Sequence, residues 1–173
     1  MIAGRVLDRD ASPPVDWGLV SHTDTGSLLV PAPRDAVFAA LVDGDARAEW
    51  LPPTGMTGRL EWFDPGPGGG YRITLTYADP TVPGKSGGAD DVVDVRFTVV
   101  DPPACIVEEA DFVSEDPAYA GTMTMTWTLE PEGAGTLVTI TATDVPDGID
   151  SADHAVAFEA TLRQLAAHVV RRS

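Results

Sequence analysis

Glu108 and Glu109 stand side by side in the stretch CIVEEADF, and neighbouring residues on a strand point to opposite faces. One of the two carboxylates must therefore face inward. If Ile106, Ala110 and Phe112 are inside, the inward residue is Glu108; the opposite phase, with Val107 and Val113 inside, sends Glu109 and Asp111 there. A carboxylate in apolar surroundings has a raised pKa and can act as an acid or base. The alternative role is a charge pair with an arginine such as Arg72 or Arg96. Glu108 and Glu109 are thus the candidate catalytic residues, with both roles open. His154, near the start of the last helical stretch, can approach a pocket mouth or sit in solvent beside the cap.

Other chemistries find little support. Cys105 is the single cysteine, so no internal disulfide forms, and with His22, His154 and His168 it makes no recognised metal spacing. Cys105 itself reads as a small buried apolar residue on a strand. The glycines of GPGGGYR lack the strand-to-helix context and lysine of a phosphate loop, and Gly84-Lys85-Ser86 lacks the upstream glycine. No Ser-His-Asp order or nucleophile elbow is present. Neither a metal nor any other cofactor is expected.

A binding surface is easier to read than a reaction. Strict alternation turns Met123, Met125, Trp127 and Leu129 inward on one strand, Tyr71, Ile73, Leu75 and Tyr77 on a second, and Val93, Val95, Phe97 and Val99 on a third. Methionine adapts to irregular shapes, and Tyr and Trp carry one polar handle on an apolar body. Together with Trp50, Trp62, Phe112, Phe158 and Leu162, the residues Tyr71, Ile73, Tyr77, Phe97, Met123, Met125 and Trp127 form the candidate ligand-binding wall. The same residues can equally make a solid core. Trp50, next to Leu51-Pro52-Pro53, is either a plug of that core or a wall of a pocket.

The elements that must position this wall follow from periodicity. Residues 1–17 show no sustained period and read as an arm, with Trp17 as its anchor; residues 18–173 read as one domain. GLVSHTDTGSLLV is a strand closed at Pro31. Val37, Phe38, Leu41 and Val42 recur at helical spacing, and a second short helix, Asp45 to Trp50, is capped by Asp43 or Asp45 and stopped by Pro52. From Met56 to Val145 the period is two, in three hairpins turning through PGPGG, Asp101-Pro102-Pro103 and EGAG. The segment PTVPGKSGGADD is a long glycine-rich loop. Asp150, Ser151 or Asp153 caps a long amphipathic helix whose stripe comprises Val156, Phe158, Leu162, Leu165, Ala166 and Val169, with Gln164 and His168 facing elsewhere. The fold class is α+β: a curved antiparallel sheet of about seven strands around a C-terminal helix, with two short helices after the first strand.

Composition bounds the partners. The chain has 173 residues and a formal net charge of -16, which repels phosphate backbones and anionic lipid, so nucleic acid is not expected as a partner. No apolar run approaches the roughly 20 residues of a membrane span. The charged start fits no signal peptide, and a cytoplasmic location is expected. Lys85 is the only lysine and asparagine is absent, a bias ascribed to a GC-rich genome.

VPAPRDAVFAALVD, EWLPP, PGPGGGYRI, VVDPP and GTLVTI, followed by the amphipathic helix, stand in the order found in bacterial homologues of the activator of heat-shock-protein-90 ATPase, within the START-like superfamily. The sequence resembles that family from Leu28 to Val170. It departs from it at Phe158, where members often have tryptophan, and at Glu49, where two tryptophans often adjoin. The resemblance implies a helix-grip domain with a cavity between sheet and terminal helix, and a small hydrophobic or amphipathic ligand. The alternatives are a polyketide cyclase or hydratase-like enzyme using an inward carboxylate, and a chaperone-associated or other protein-interaction factor with a stress-response role. A homodimer through a sheet edge is compatible with all three.

Overall fold

Period-two patterning from Met56 to Val145 resolves into six strands in the computed structural model, which describes residues 21–172. These are β2 (Met56–Asp64), β3 (Gly70–Tyr77), β4 (Asp90–Asp101), β5 (Cys105–Phe112), β6 (Thr122–Glu132) and β7 (Gly135–Val145). Before them come β1 (His22–Val30), α1 (Arg34–Leu41) and α2 (Gly44–Trp50); after them comes α3 (Ser151–Arg172). The expected arm over residues 1–17, and Trp17 as its anchor, lie outside the described residues.

All strands pair antiparallel in one sheet of order β1-β7-β6-β5-β4-β3-β2. Hairpins generate the run from β2 to β7, and β1 returns to the far edge beside β7. The chain must therefore cross from one edge to the other between β1 and β2, and α1 and α2 make that crossing. Asp43 caps α2 by accepting from the Ala46 amide at 3.0 Å; Leu51 at its end still has helical angles, and the helix stops because Pro52 and Pro53 have no amide N–H to continue its hydrogen bonds.

The curved sheet grips α3, which packs on β1, α1 and α2. Gly26 of β1 makes the close approach possible: a Cβ there would lie 2.9 Å from Phe158 Cβ. At the other edge, Gln164 of α3 donates to the carbonyls of Trp50 and Pro52, each at 2.7 Å. Gln164 thus fastens the corner between α2 and β2 rather than facing solvent.

Two β-bulges alter the expected inner face. Pairing shifts between Leu60 and Trp62 on β2, where the extra residue is Glu61. Leu60 therefore stands opposite inward Ile73, Trp62 opposite outward Arg72, and Phe63 opposite inward Tyr71. Trp62 is 48% exposed, and Phe63 takes the place expected for it. A second shift, between Phe97 and Val99, turns Val99 out and brings Val100 against the core. A bulge inserts one unpaired residue, which reverses the alternation beyond it.

The α3 stripe also differs from expectation. Phe158, Leu162, Leu165 and Val169 are buried, as are Thr161 and His168, whereas Val156 is exposed. Two helical positions before Phe158 lie about 200° around the axis, so Val156 cannot share its face. His168 falls ten positions after Phe158, about 80° short of three turns, and joins the margin of the stripe next to Thr161.

Candidate functional site

Glu108 is the inward member of the acidic pair, only 1% exposed, and flanked by buried Ile106 and Ala110. Its partner is neither Arg72 nor Arg96 but Arg47, from α2. Arg96 instead pairs with Glu109 on the outer face, and Arg72 lies within 4 Å of Glu61 and Asp94. Arg47 is fully buried and forms a short ion pair with Glu108 through Nη2. Its Nη1 donates to the Tyr71 hydroxyl at 3.0 Å, and its Nε donates to the Leu41 carbonyl at 2.5 Å. The rings of Tyr71, Phe97 and Trp50 surround the guanidinium at 4.9, 5.3 and 5.5 Å.

Burial opposes the charge on Arg47, but Glu108 more than compensates, so the arginine pKa lies above its ordinary value. Burial and then the Glu108 charge push the Tyr71 phenol upward as well. The arrangement holds one positive and one negative charge under aromatic cover with their donors largely satisfied. It ties α2 to β3 and β5. Glu108 is occupied by this pairing and meets no open cleft, so the structure gives it the expected charge pair, with a different arginine.

Most of the expected wall belongs to the same closed region. Trp50 and Trp127 meet edge to face at 5.7 Å, and the Trp50 indole donates to the Ala40 carbonyl at 3.0 Å. Tyr71, Ile73, Phe97 and Leu162 are buried with them, and Met125 is half-buried against this core. Trp50 is therefore a plug of the core.

Three of the expected residues, Tyr77, Phe112 and Met123, meet at a different place. They line a cleft of about 410 Å³ at the open end of the sheet, beside the first turns of α3. Tyr119, Ile149 and Ala157 add apolar surface; Lys85, Asp150, Asp153 and His154 add polar groups. Phe158 lies beneath, with its ring centroid 4.1 Å from that of His154.

His154 is held rather than solvated. Its Nδ1 lies 2.7 Å from Asp24 Oδ2, and its side chain is 10% exposed. His22 Nε2 stands 3.1 Å from the same oxygen, without hydrogen-bond alignment. Burial pushes the Asp24 carboxyl up, but hydrogen bonds from His154 and Ser151, with the nearby imidazoles, bring it below its ordinary value. An ionised Asp24 can only accept, so His154 Nδ1 carries the hydrogen.

Lys85 enters from the loop between β3 and β4. Its ammonium bonds Asp91 Oδ2 at 2.6 Å, its amide donates to Asp91 Oδ1 at 2.5 Å, and its carbonyl accepts from Ser114 at 2.5 Å. The ammonium also stands 5.5 Å from the Phe112 ring centroid and 5.9 Å from that of Tyr119. Burial works against the charge of Lys85, but Asp91 reverses the effect and raises its pKa.

Spacing carried a signal for the placement of His154 and for Arg47, which the sequence reading missed. His154 precedes Phe158 by four, one helical turn on the same face, and Arg47 precedes Trp50 by three. Nothing local pointed to Asp24 as the partner of His154, since 130 residues separate them. Among the described residues, no group of three or more His, Cys, Asp and Glu could hold a metal ion.

A sheet gripping its C-terminal helix, with an apolar cleft where sheet and helix diverge, defines a START-like helix-grip protein. The chain belongs to the family described as Activator of Hsp90 ATPase homolog 1-like protein, whose model matches residues 31–170. Protein CV1439 from Chromobacterium violaceum is similar in structure, with a TM-score of 0.74 and 27% identity over 85% of this chain and 96% of that one. A protein from Arthrobacter aurescens shares the fold at a TM-score of 0.70 and 19% identity, over 86% of each chain. So does DynU16, a putative protein in the dynemicin biosynthetic locus, at a TM-score of 0.61 and 21% identity, over 85% of this chain and 46% of that one. No curated protein matches the sequence. No described helix is long and apolar enough to cross a membrane.

Proposed function

We propose that this protein binds a small hydrophobic or amphipathic molecule in the cleft beside the N-terminal turns of α3. The observation that carries the reading is the lining itself: Tyr77, Phe112, Tyr119 and Met123 give the open cleft of about 410 Å³ an apolar surface, with a few polar groups beside them. Ligand pockets are commonly 300 to 1,000 Å³ and mostly apolar, with few convergent polar groups. The family and fold are compatible with this reading, but fold does not supply a ligand. An enzyme built on Glu108 is a weaker reading, because that carboxylate is sealed away and held by Arg47.

The test is native mass spectrometry and thermal-shift screening against fatty acids, flavonoids and polyketides, with the Ala157→Trp variant as the blocked form. Ala157 lines the cleft, so an indole there fills it. Binding by the wild type and its loss in a folded Ala157→Trp protein supports the site. Undiminished binding by the variant rules the site out.

A further inference from the structure

The cleft lining includes one largely buried polar group with an uncommitted ring nitrogen. His154 is nine-tenths buried, and its Nδ1 is committed to Asp24. Nε2 has no protein partner among the described residues. In an imidazole whose Nδ1 bears the hydrogen, Nε2 carries the lone pair and is a hydrogen-bond acceptor. Stacking on Phe158 and the bond to Asp24 hold the ring in place, so the acceptor is pre-positioned.

The charges around the cleft select further. Lys85, which would attract a carboxylate, is already charge-paired with Asp91. Asp150 and Asp153 lie on the lining, and Asp24 stands behind His154. On this lining a ligand carrying a negative charge meets two carboxylates, Asp150 and Asp153, and one cation, Lys85, that is already paired with Asp91. A neutral hydroxyl meets an acceptor. The aromatic faces of Tyr77, Phe112 and Tyr119 favour a flat apolar body attached to that hydroxyl.

Resting on the binding reading above, we infer that the cleft takes a neutral hydroxylated aromatic molecule that donates its hydroxyl hydrogen to His154 Nε2, in preference to a carboxylate-headed amphiphile. Asp24 is a positioning residue that fixes the tautomer. His154 is the specificity-determining contact.

Equilibrium binding of 2-naphthol, naphthalene and 2-naphthoate to the full chain separates the possibilities, because the three share one ring system. The expected result is that 2-naphthol binds about three- to tenfold more tightly than naphthalene, the range a single hydrogen bond provides, and that 2-naphthoate binds weakest. In His154→Phe, which keeps an aromatic ring without an acceptor, naphthalene binding persists and the preference for 2-naphthol disappears. His154→Gln retains a side-chain acceptor and keeps part of it. Equal wild-type binding of 2-naphthol and naphthalene overturns the inference and leaves the cleft as a binding site. A preference that survives His154→Phe, or tightest binding of 2-naphthoate, also overturns it. If none of the three binds, the inference falls together with the assignment of the cleft.

Discussion

Arg47 and Glu108 are each among the largest fully buried side chains. Removing water from two charges is expensive, and it is offset only when the pair has good geometry and its remaining groups are bonded. Arg47 meets that condition through Glu108, Tyr71 and the Leu41 carbonyl. Arg47→Met strands the Glu108 charge, and a loss of about 3–5 kcal/mol is expected in urea denaturation. Pairing it with Glu108→Leu recovers most of that loss, because both charges then leave together. A double-mutant cycle checks this, and equal losses in the single and double variants would refute it. Cys105 supplies a second residue-scale test. Burial, and secondarily Asp101, push its thiol up, so it should react with iodoacetamide at neutral pH more slowly than a free cysteine, as the thiolate is the nucleophile.

At the level of elements, close approach of backbone is what lets the sheet grip the helix. Gly26 has Phe158 directly over it. Gly26→Val should cost about 1–3 kcal/mol, since overpacking forces side chains or backbone to move; a thermal melt matching the wild type would show that α3 can shift without cost. The bulges act at this level too. They explain why Trp62 lies outside and Phe63 inside, stacked at 6.0 Å on Tyr71. Alternation identified Tyr71, Ile73, Met123 and Trp127 as inward, and Glu108 in one of two phases, because β3, β5 and β6 carry no inserted residue of their own. It failed at Trp62 and Val99 because an inserted residue on one strand is defined only relative to its partner strand.

The whole molecule responds to pH through groups at its edges and through one phenol in its core. Asp24 has a folded pKa below its ordinary 3.8, so its contribution to stability is present above that value and is lost as pH falls through the folded pKa. Lys85 has a folded pKa above 10.5 and Tyr71 one above 10.0; their contributions hold below those values and disappear as pH rises through the folded pKa. Melting temperature against pH should therefore fall on both sides, with Asp24→Asn flattening the acid limb and Lys85→Met the alkaline one. The charge of -16 adds self-repulsion, and added salt should raise the melting temperature at neutral pH by screening it.

Sequence alone determined the class of structure: the change from a helical period to a period of two at Met56, the three hairpins, and the long final helix all follow from local patterns. It also determined that Glu108 would face inward in one of two phases, because side-chain direction on a strand is a local property. Tertiary structure decided which groups meet. Arg47 reaches Glu108 across 61 positions, and Asp24 reaches His154 across 130. It also divided the aromatic wall into a closed core around Trp50 and Trp127 and an open cleft at Tyr77, Phe112 and Met123. That division depends on where α3 diverges from the curved sheet, and the distance between two packed elements is a property of their contact, encoded in neither strand nor helix by itself.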